Sequence, residues 1–179
     1  MRYFRFRKER PRLKRKEESP IGNPGIETKR KFPALEEIFH RLGYPYSTVL
    51  LDRIGEIEGG ESLRATKMVS ANEFFLAGHF PNEPIMPGVL TLEGMIQSAL
   101  VLIHESFARG ILKVFLQRVD RVRFKRAILP GDRLEFFVKV TAQEEKIWKF
   151  HGRAQVGEET AAEADFHIQL DFREVGFEI

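Results

Sequence analysis

Cysteine is absent, so disulfides, thiol nucleophiles and thiolate metal sites are excluded together. The absence leaves the redox compartment open and fits a cytoplasmic location. No apolar stretch reaches the ~20 residues that span a bilayer, and no glycine-rich loop of the phosphate-cradling kind occurs. The five histidines, His40, His79, His104, His151 and His167, fall at no metal-ligand spacing with Asp or Glu. Neither a metal nor any other cofactor is therefore expected, and His104, His151 and His167 read as structural.

Charge is divided unevenly along the chain. Residues 1–31 hold twelve Lys or Arg against four Glu, or +8; with 29 basic and 26 acidic residues in all, the remainder holds 17 against 22, or −5. Met1 to Lys16 interleaves its basic residues with Tyr3, Phe4 and Phe6, and Ser19 to Gly25 has the composition of a linker. The arm 1–31 is expected to be solvated and disordered, with an acidic protein, an anionic membrane surface or nucleic acid as alternative partners. Stable nucleic-acid binding is not expected. Four Glu and the lack of an apolar core region argue against a targeting peptide. Residues 32–179 are expected to form a single domain, long enough for one core.

The densest chemistry lies between Gly78 and Gln97. Pro81, Pro84 and Pro87 fix φ and remove backbone donors, which predicts an ordered, non-helical crossing over 79–87 that holds His79 still. A helix is predicted from Val89 to Ile103, apolar on nearly every face and therefore enclosed by protein. Gly88 stands where a side chain would hinder approach to the first free N–H groups of that helix. Glu93 and Gln97 are the conspicuous polar interruptions and, at i and i+4, share a face. Desolvation disfavours a charged carboxylate there and raises its pKa, which suits a proton donor. His79 and Glu93 together form a candidate acid–base couple. Taken singly, each has an ordinary structural reading, a loop histidine and an edge or ion-paired glutamate.

The rest of the chain reads as strands. A helical spacing covers 34–42, and Val49 to Ile57 with Leu63 to Val69 reads as a hairpin around Glu58-Gly59-Gly60-Glu61. Ile111–Phe124, Leu134–Ala142, Ile147–Val156 and Thr160–Phe172 are β-rich runs separated by turn residues. One enclosed helix with many antiparallel strands is an α+β architecture.

Several motifs now fall into order: Arg64 to Phe75, Gly78-His79-Phe80-Pro81, Pro84 to Leu90, Leu92-Glu93-Gly94-Met95-Ile96-Gln97, Arg123 to Arg126, and Pro130-Gly131-Asp132. Over about residues 33–173 the chain resembles the (3R)-hydroxyacyl-acyl-carrier-protein dehydratases of type II fatty-acid synthesis. Glu rather than Asp at 93 resembles the FabZ-type branch more than the FabA-type dehydratase/isomerase. The resemblance implies a hot-dog fold, a long helix wrapped by an antiparallel sheet. It also implies an obligate homodimer, whose two sites each take the histidine from one chain and the glutamate from the other. The substrate implied is an acyl chain on the phosphopantetheine of an acyl carrier protein.

On that basis His79 is expected as base, Glu93 as the group that protonates or orients the departing hydroxyl, and the N–H of Gly88, with Val89, as the donor to the thioester oxygen. Gln97 is expected to orient Glu93. Phe74, Phe75, Phe80 and Phe115 are candidates for an acyl tunnel, with core packing as the ordinary alternative. Arg121, Arg123, Lys125 and Arg126 are expected to meet the acidic carrier, with a charge-guarded strand edge as the alternative. The chain also departs from the family pattern. Gly43-Tyr44-Pro45-Tyr46-Ser47-Thr48-Val49-Leu50-Leu51-Asp52-Arg53 lacks the family's Pro-His-Arg, and Arg118 replaces a usual glycine. A hot-dog thioesterase, a dehydratase/isomerase and a non-catalytic carrier-binding module are the rival readings.

Overall fold

The computed structural model describes residues 36, 39, 40, 43–106 and 113–171. The basic arm, most of the helix expected over 34–42 and the strand ends at 111–112 and Phe172 lie outside the described residues; Glu36, Phe39 and His40 are helical. Six strands form one sheet: β1 (Arg53–Glu58), β2 (Ser62–Met68), β3 (Lys113–Phe124), β4 (Arg133–Glu144), β5 (Ile147–Val156) and β6 (Glu159–Asp171). Their order is β1-β2-β4-β5-β6-β3 and every pairing is antiparallel. The helix α1 (Gly88–Ser106) contacts β2, β4, β5 and β6. A long helix lies in the curve of an antiparallel sheet, as the resemblance implies.

Period-two alternation sets the inner face of that sheet. Leu134, Phe136 and Val138 of β4, Trp148, Phe150 and Ala154 of β5, and Ala162, Ala164, Phe166, Ile168 and Leu170 of β6 are buried. The helix supplies the facing layer, buried without interruption from Gly94 to Ile103. Gly94 is what lets it come so close: a Cβ there would stand 2.2 Å from Cζ of Phe136, so the ring occupies the space of the missing side chain. The hairpin from β1 to β2 turns through Gly59 and Gly60, both at positive φ (56° and 72°).

One expectation needs correcting. Val49 to Asp52 is not part of β1, which starts at Arg53. Leu50 and Leu51 are buried, but the Leu50 N–H donates to Oε1 of Gln97 at 2.8 Å, while the Asp52 N–H reaches β2 at the Thr66 carbonyl, 2.9 Å away. A side chain on the helix replaces the neighbouring strand, so an apolar run that reads as β is an irregular segment anchored to α1.

Strand β3 forms one edge of the sheet and exposes Phe115, Leu116, Val122 and Phe124. No helix among the described residues is long and apolar enough to cross a membrane, and no group of acidic or histidine side chains there could hold a metal ion.

Candidate active site

The proline loop is pinned by its own backbone. Phe80 and Glu83 exchange two N–H···O bonds of 3.1 Å, the Ile85 N–H donates to the His79 carbonyl at 3.0 Å, and the Met86 N–H donates to the Ile128 carbonyl at 2.8 Å. Into this frame the His79 imidazole is locked by a 3.1 Å bond between its Nδ1 and the Ile85 carbonyl, with its ring stacked on Phe80 at 4.2 Å. A carbonyl can only accept, so Nδ1 carries the proton and Nε2 is the bare, basic nitrogen. Loop geometry thus chooses the tautomer a base requires.

His79 lines a cavity of about 470 Å³ with Gly88, Val89 and Thr91 from the first turn of α1, and with Phe124, Lys125 and Arg126 from the end of β3. Leu90 and Thr91 both donate to the Pro87 carbonyl, whereas the N–H groups of Gly88 and Val89 meet no acceptor among the described residues. Two donors at the positive end of a helix therefore open beside the imidazole. Gly88 has a second consequence: a Cβ on it would stand 2.8 Å from Cε1 of Phe124. The ring of Phe124 lies against the helix start and takes the room the glycine leaves.

Glu93 sits in a different setting. Its Oε1 accepts from Nε2 of Gln97 at 3.0 Å, and Gln97 is itself fully buried, donating to the Thr48 carbonyl at 2.9 Å while accepting from Leu50. Burial pushes the Glu93 carboxyl above the usual carboxylate range, opposed by the bond from Gln97 and by the nearby Tyr44 hydroxyl. Burial and the adjacent carboxylate push the Tyr44 phenol up to about 12. Sequence reasoning missed Tyr44, although it lies in the stretch where the family's His and Arg are lacking. Only the fold brings this stretch to α1, where Thr48 and Leu50 meet Gln97.

Among the described residues His79 and Glu93 share no hydrogen bond or ion pair, and His79 has no part in the shift of Glu93. Of the helix residues on the cavity wall, Thr91 points away from Glu93 at about 100° per residue, whereas Val89, at i and i+4, shares its face. Of the tunnel candidates, Phe75 is in the core, while Phe74, Phe80 and Phe115 are exposed. The basic cluster is divided. Lys125 and Arg126 line the His79 cavity, and Arg121 and Arg123 line a separate hollow on β3 and β6. Each cation has a carboxylate partner: Arg121 has Asp165, Arg123 and Lys125 share Glu163, and Arg126 lies between Asp132 and Glu159. Arg121 sits at positive φ (51°) in a β-bulge, which breaks the alternation expected to align it with Arg123. Arg118 lies exposed on Asp120.

The FabA-like domain family matches residues 43–165, a span that holds Tyr44, His79, Gly88, Glu93 and Gln97. The chain belongs to the FabA-like family. A curated relative in Sinorhizobium fredii, the 3-hydroxyacyl-[acyl-carrier-protein] dehydratase FabZ, is 41% identical over 140 residues, 78% of this chain and 91% of that protein. Its counterpart of the same name in Aromatoleum aromaticum is 42% identical over 141 residues, 76% of this chain and 96% of that protein. Among solved structures, the dehydratase heterocomplex ApeI:P from Xenorhabdus doucetiae superposes with a TM-score of 0.64 at 17% identity, covering 75% of this chain and 90% of that one. A thioesterase from Pseudomonas aeruginosa gives 0.59 at 14%, covering 79% and 96%. These structural likenesses establish the hot-dog fold of this FabA-like chain and nothing finer.

Proposed function

We propose that this chain eliminates water from (3R)-3-hydroxyacyl thioesters carried by acyl carrier protein, giving trans-2-enoyl thioesters in fatty-acid or related lipid synthesis. The observation that carries the reading is the 41–42% identity with the FabZ dehydratases over about three quarters of the chain. The chemistry needs three groups. Nε2 of His79 takes the α-proton; the electron pair forms the double bond as the C–O bond breaks; the departing hydroxyl takes a proton from Glu93 and leaves as water. Negative charge that gathers on the thioester oxygen meets the N–H groups of Gly88 and Val89. Proton transfers of this kind call for no metal or redox cofactor.

The absence of a hydrogen bond or ion pair between His79 and Glu93 among the described residues supports a complete site that takes His79 from one protomer and Glu93 from its partner. The exposed apolar row on edge strand β3 supports a homodimer built there, since pairing would cover both the ladder and Phe115, Leu116 and Phe124. Lys125 and Arg126, at the cavity wall, are the cations best placed to meet the carrier's phosphate, exchanging their internal carboxylates for it. The basic arm 1–31 is a separate, salt-sensitive contact for an acidic partner, and a cytoplasmic location suits a substrate of this kind.

Turnover on 3-hydroxyacyl carrier proteins of graded chain length, with products separated by mass, tests the reading. A trans-2-enoyl product over some range of lengths is expected. Release of free acid would replace it with a thioesterase, a shifted double bond with a dehydratase/isomerase, and carrier binding without turnover with a non-catalytic module.

A further inference from the structure

The face of the sheet turned away from α1 carries a row that the ladder sets in line. Arg64 of β2 pairs with Phe137 of β4, Phe137 with Arg153 of β5, and Arg153 with Glu163 of β6. Phe137 therefore stands between two arginines. The guanidinium carbon of Arg64 lies 4.7 Å from the centroid of that ring and the guanidinium carbon of Arg153 5.4 Å, so both cations rest on the phenyl quadrupole. A stacked guanidinium keeps its N–H edges free. Among the described residues neither arginine has any other partner, although carboxylates are at hand: Glu163, opposite Arg153, is bound instead by Arg123 and Lys125.

We propose that Arg64 and Arg153 form a binding site for a diphosphate, the two linked phosphoryl groups of a small molecule. With Phe137 they line a groove of about 350 Å³, a size usual for small-molecule clefts, and it shares no residue with the His79 cavity. One ring holds both guanidinium forks in place, so little side-chain freedom is lost when an anion arrives. Because the ring stands between the cations, a single tetrahedral anion cannot lie directly between them. Two linked phosphoryl groups can reach both over the edge of the ring. Lys139, on the same face two residues beyond Phe137, adds a third cation without a carboxylate partner among the described residues. Glu56 and Glu58 close the β1 side of the groove, where they oppose a long polyanion such as nucleic acid and leave room for a compact one.

Isothermal titration of the full-length chain with inorganic pyrophosphate, at fixed ionic strength, should show saturable binding about tenfold tighter than with orthophosphate, since only pyrophosphate engages both forks. Arg64→Met and Arg153→Met keep an unbranched stem on the ring and remove the fork. Each should weaken pyrophosphate about tenfold, the loss expected for hydrogen bonds to a charged group. Arg118→Met, which removes an exposed cation outside the groove, should leave the affinity unchanged. ADP bound as tightly as pyrophosphate would support the site as one for a nucleoside diphosphate, and binding of pyrophosphate alone would support it as one for the inorganic ion. Equal weakening by Arg118→Met would reduce the binding to diffuse surface charge, and equal affinity for orthophosphate would remove the bridging; either result overturns the proposal. Tighter binding of a glutamate-rich peptide would also overturn it and give this face to an acidic protein segment. With no saturable binding at all, the two arginines would be solvated cations guarding a sheet face.

Discussion

The settings of His79 and Glu93 have been built by opposite means. His79 is fixed by a rigid loop of prolines and reciprocal backbone bonds, half-exposed on the wall of a cavity. Glu93 is held by the Gln97 side chain, in a setting poor in water where its proton is retained more strongly than usual. A base needs access and the right tautomer, and exposure with one carbonyl contact gives both. An acid needs its proton held until the leaving group forms, and burial gives that in spite of the bond from Gln97. The contrast supports the roles proposed for the two residues.

The contrast breaks most visibly if either side is removed. His79→Ala and Glu93→Gln should each lower kcat by ~10²–10⁴ with circular dichroism and oligomeric mass unchanged. Mixing the two inactive proteins should restore about one working site per mixed dimer; recovery of none would mean that the two residues of one chain serve one site. Next in size is Gly88→Val, which forces the Phe124 ring off the helix start and should nearly abolish turnover with a smaller loss of stability. Adding Phe124→Ala separates two causes of that loss. Recovery of activity would trace it to the displaced ring, and continued inactivity to substrate blocked at the free N–H groups.

The Glu93 side should be the more sensitive in stability. Gln97→Leu leaves the Leu50 N–H and the Thr48 carbonyl without partners and should cost about 2–4 kcal/mol in urea unfolding. An ordinary surface-sized loss would show that water replaces the amide there. The smallest effect is in pH. A carboxyl whose folded pKa is raised binds protons more tightly when folded, so its contribution is complete below the unfolded pKa and is lost as pH rises through the folded one. The melting temperature of Glu93→Gln relative to wild type should therefore rise from the ordinary carboxylate range upward. Asp132 and Asp165, held down by Arg126 and by His151 with Arg121 against their own desolvation, act in the reverse sense and weaken the fold as pH falls. A flat difference between the two melting curves would mean that Glu93 is not desolvated in solution.

Much of this was legible along the chain. Alternation in Phe166, Ile168 and Leu170 marked β6, the all-round apolar run marked an enclosed helix, and three prolines marked an immobile loop before it. Val49 to Asp52 misled, because an apolar run bonded to a helix side chain has the same composition as a strand. The basic cluster was legible as charge, but its pairing with Glu159, Glu163 and Asp165 was not, because those carboxylates are distant in sequence.

What the sequence determined by itself is what depends on local pattern: strand faces, helix enclosure, the stillness of His79 and the polar face shared by Glu93 and Gln97. What only the tertiary structure decided is what depends on distant residues meeting. Gln97 meets Thr48 and Leu50 because their segment crosses α1, and Phe124 fills the space beside Gly88. Local patterns report which face a residue turns inward. Partners so far apart in sequence are set by how the layers stack, and no short window carries that information.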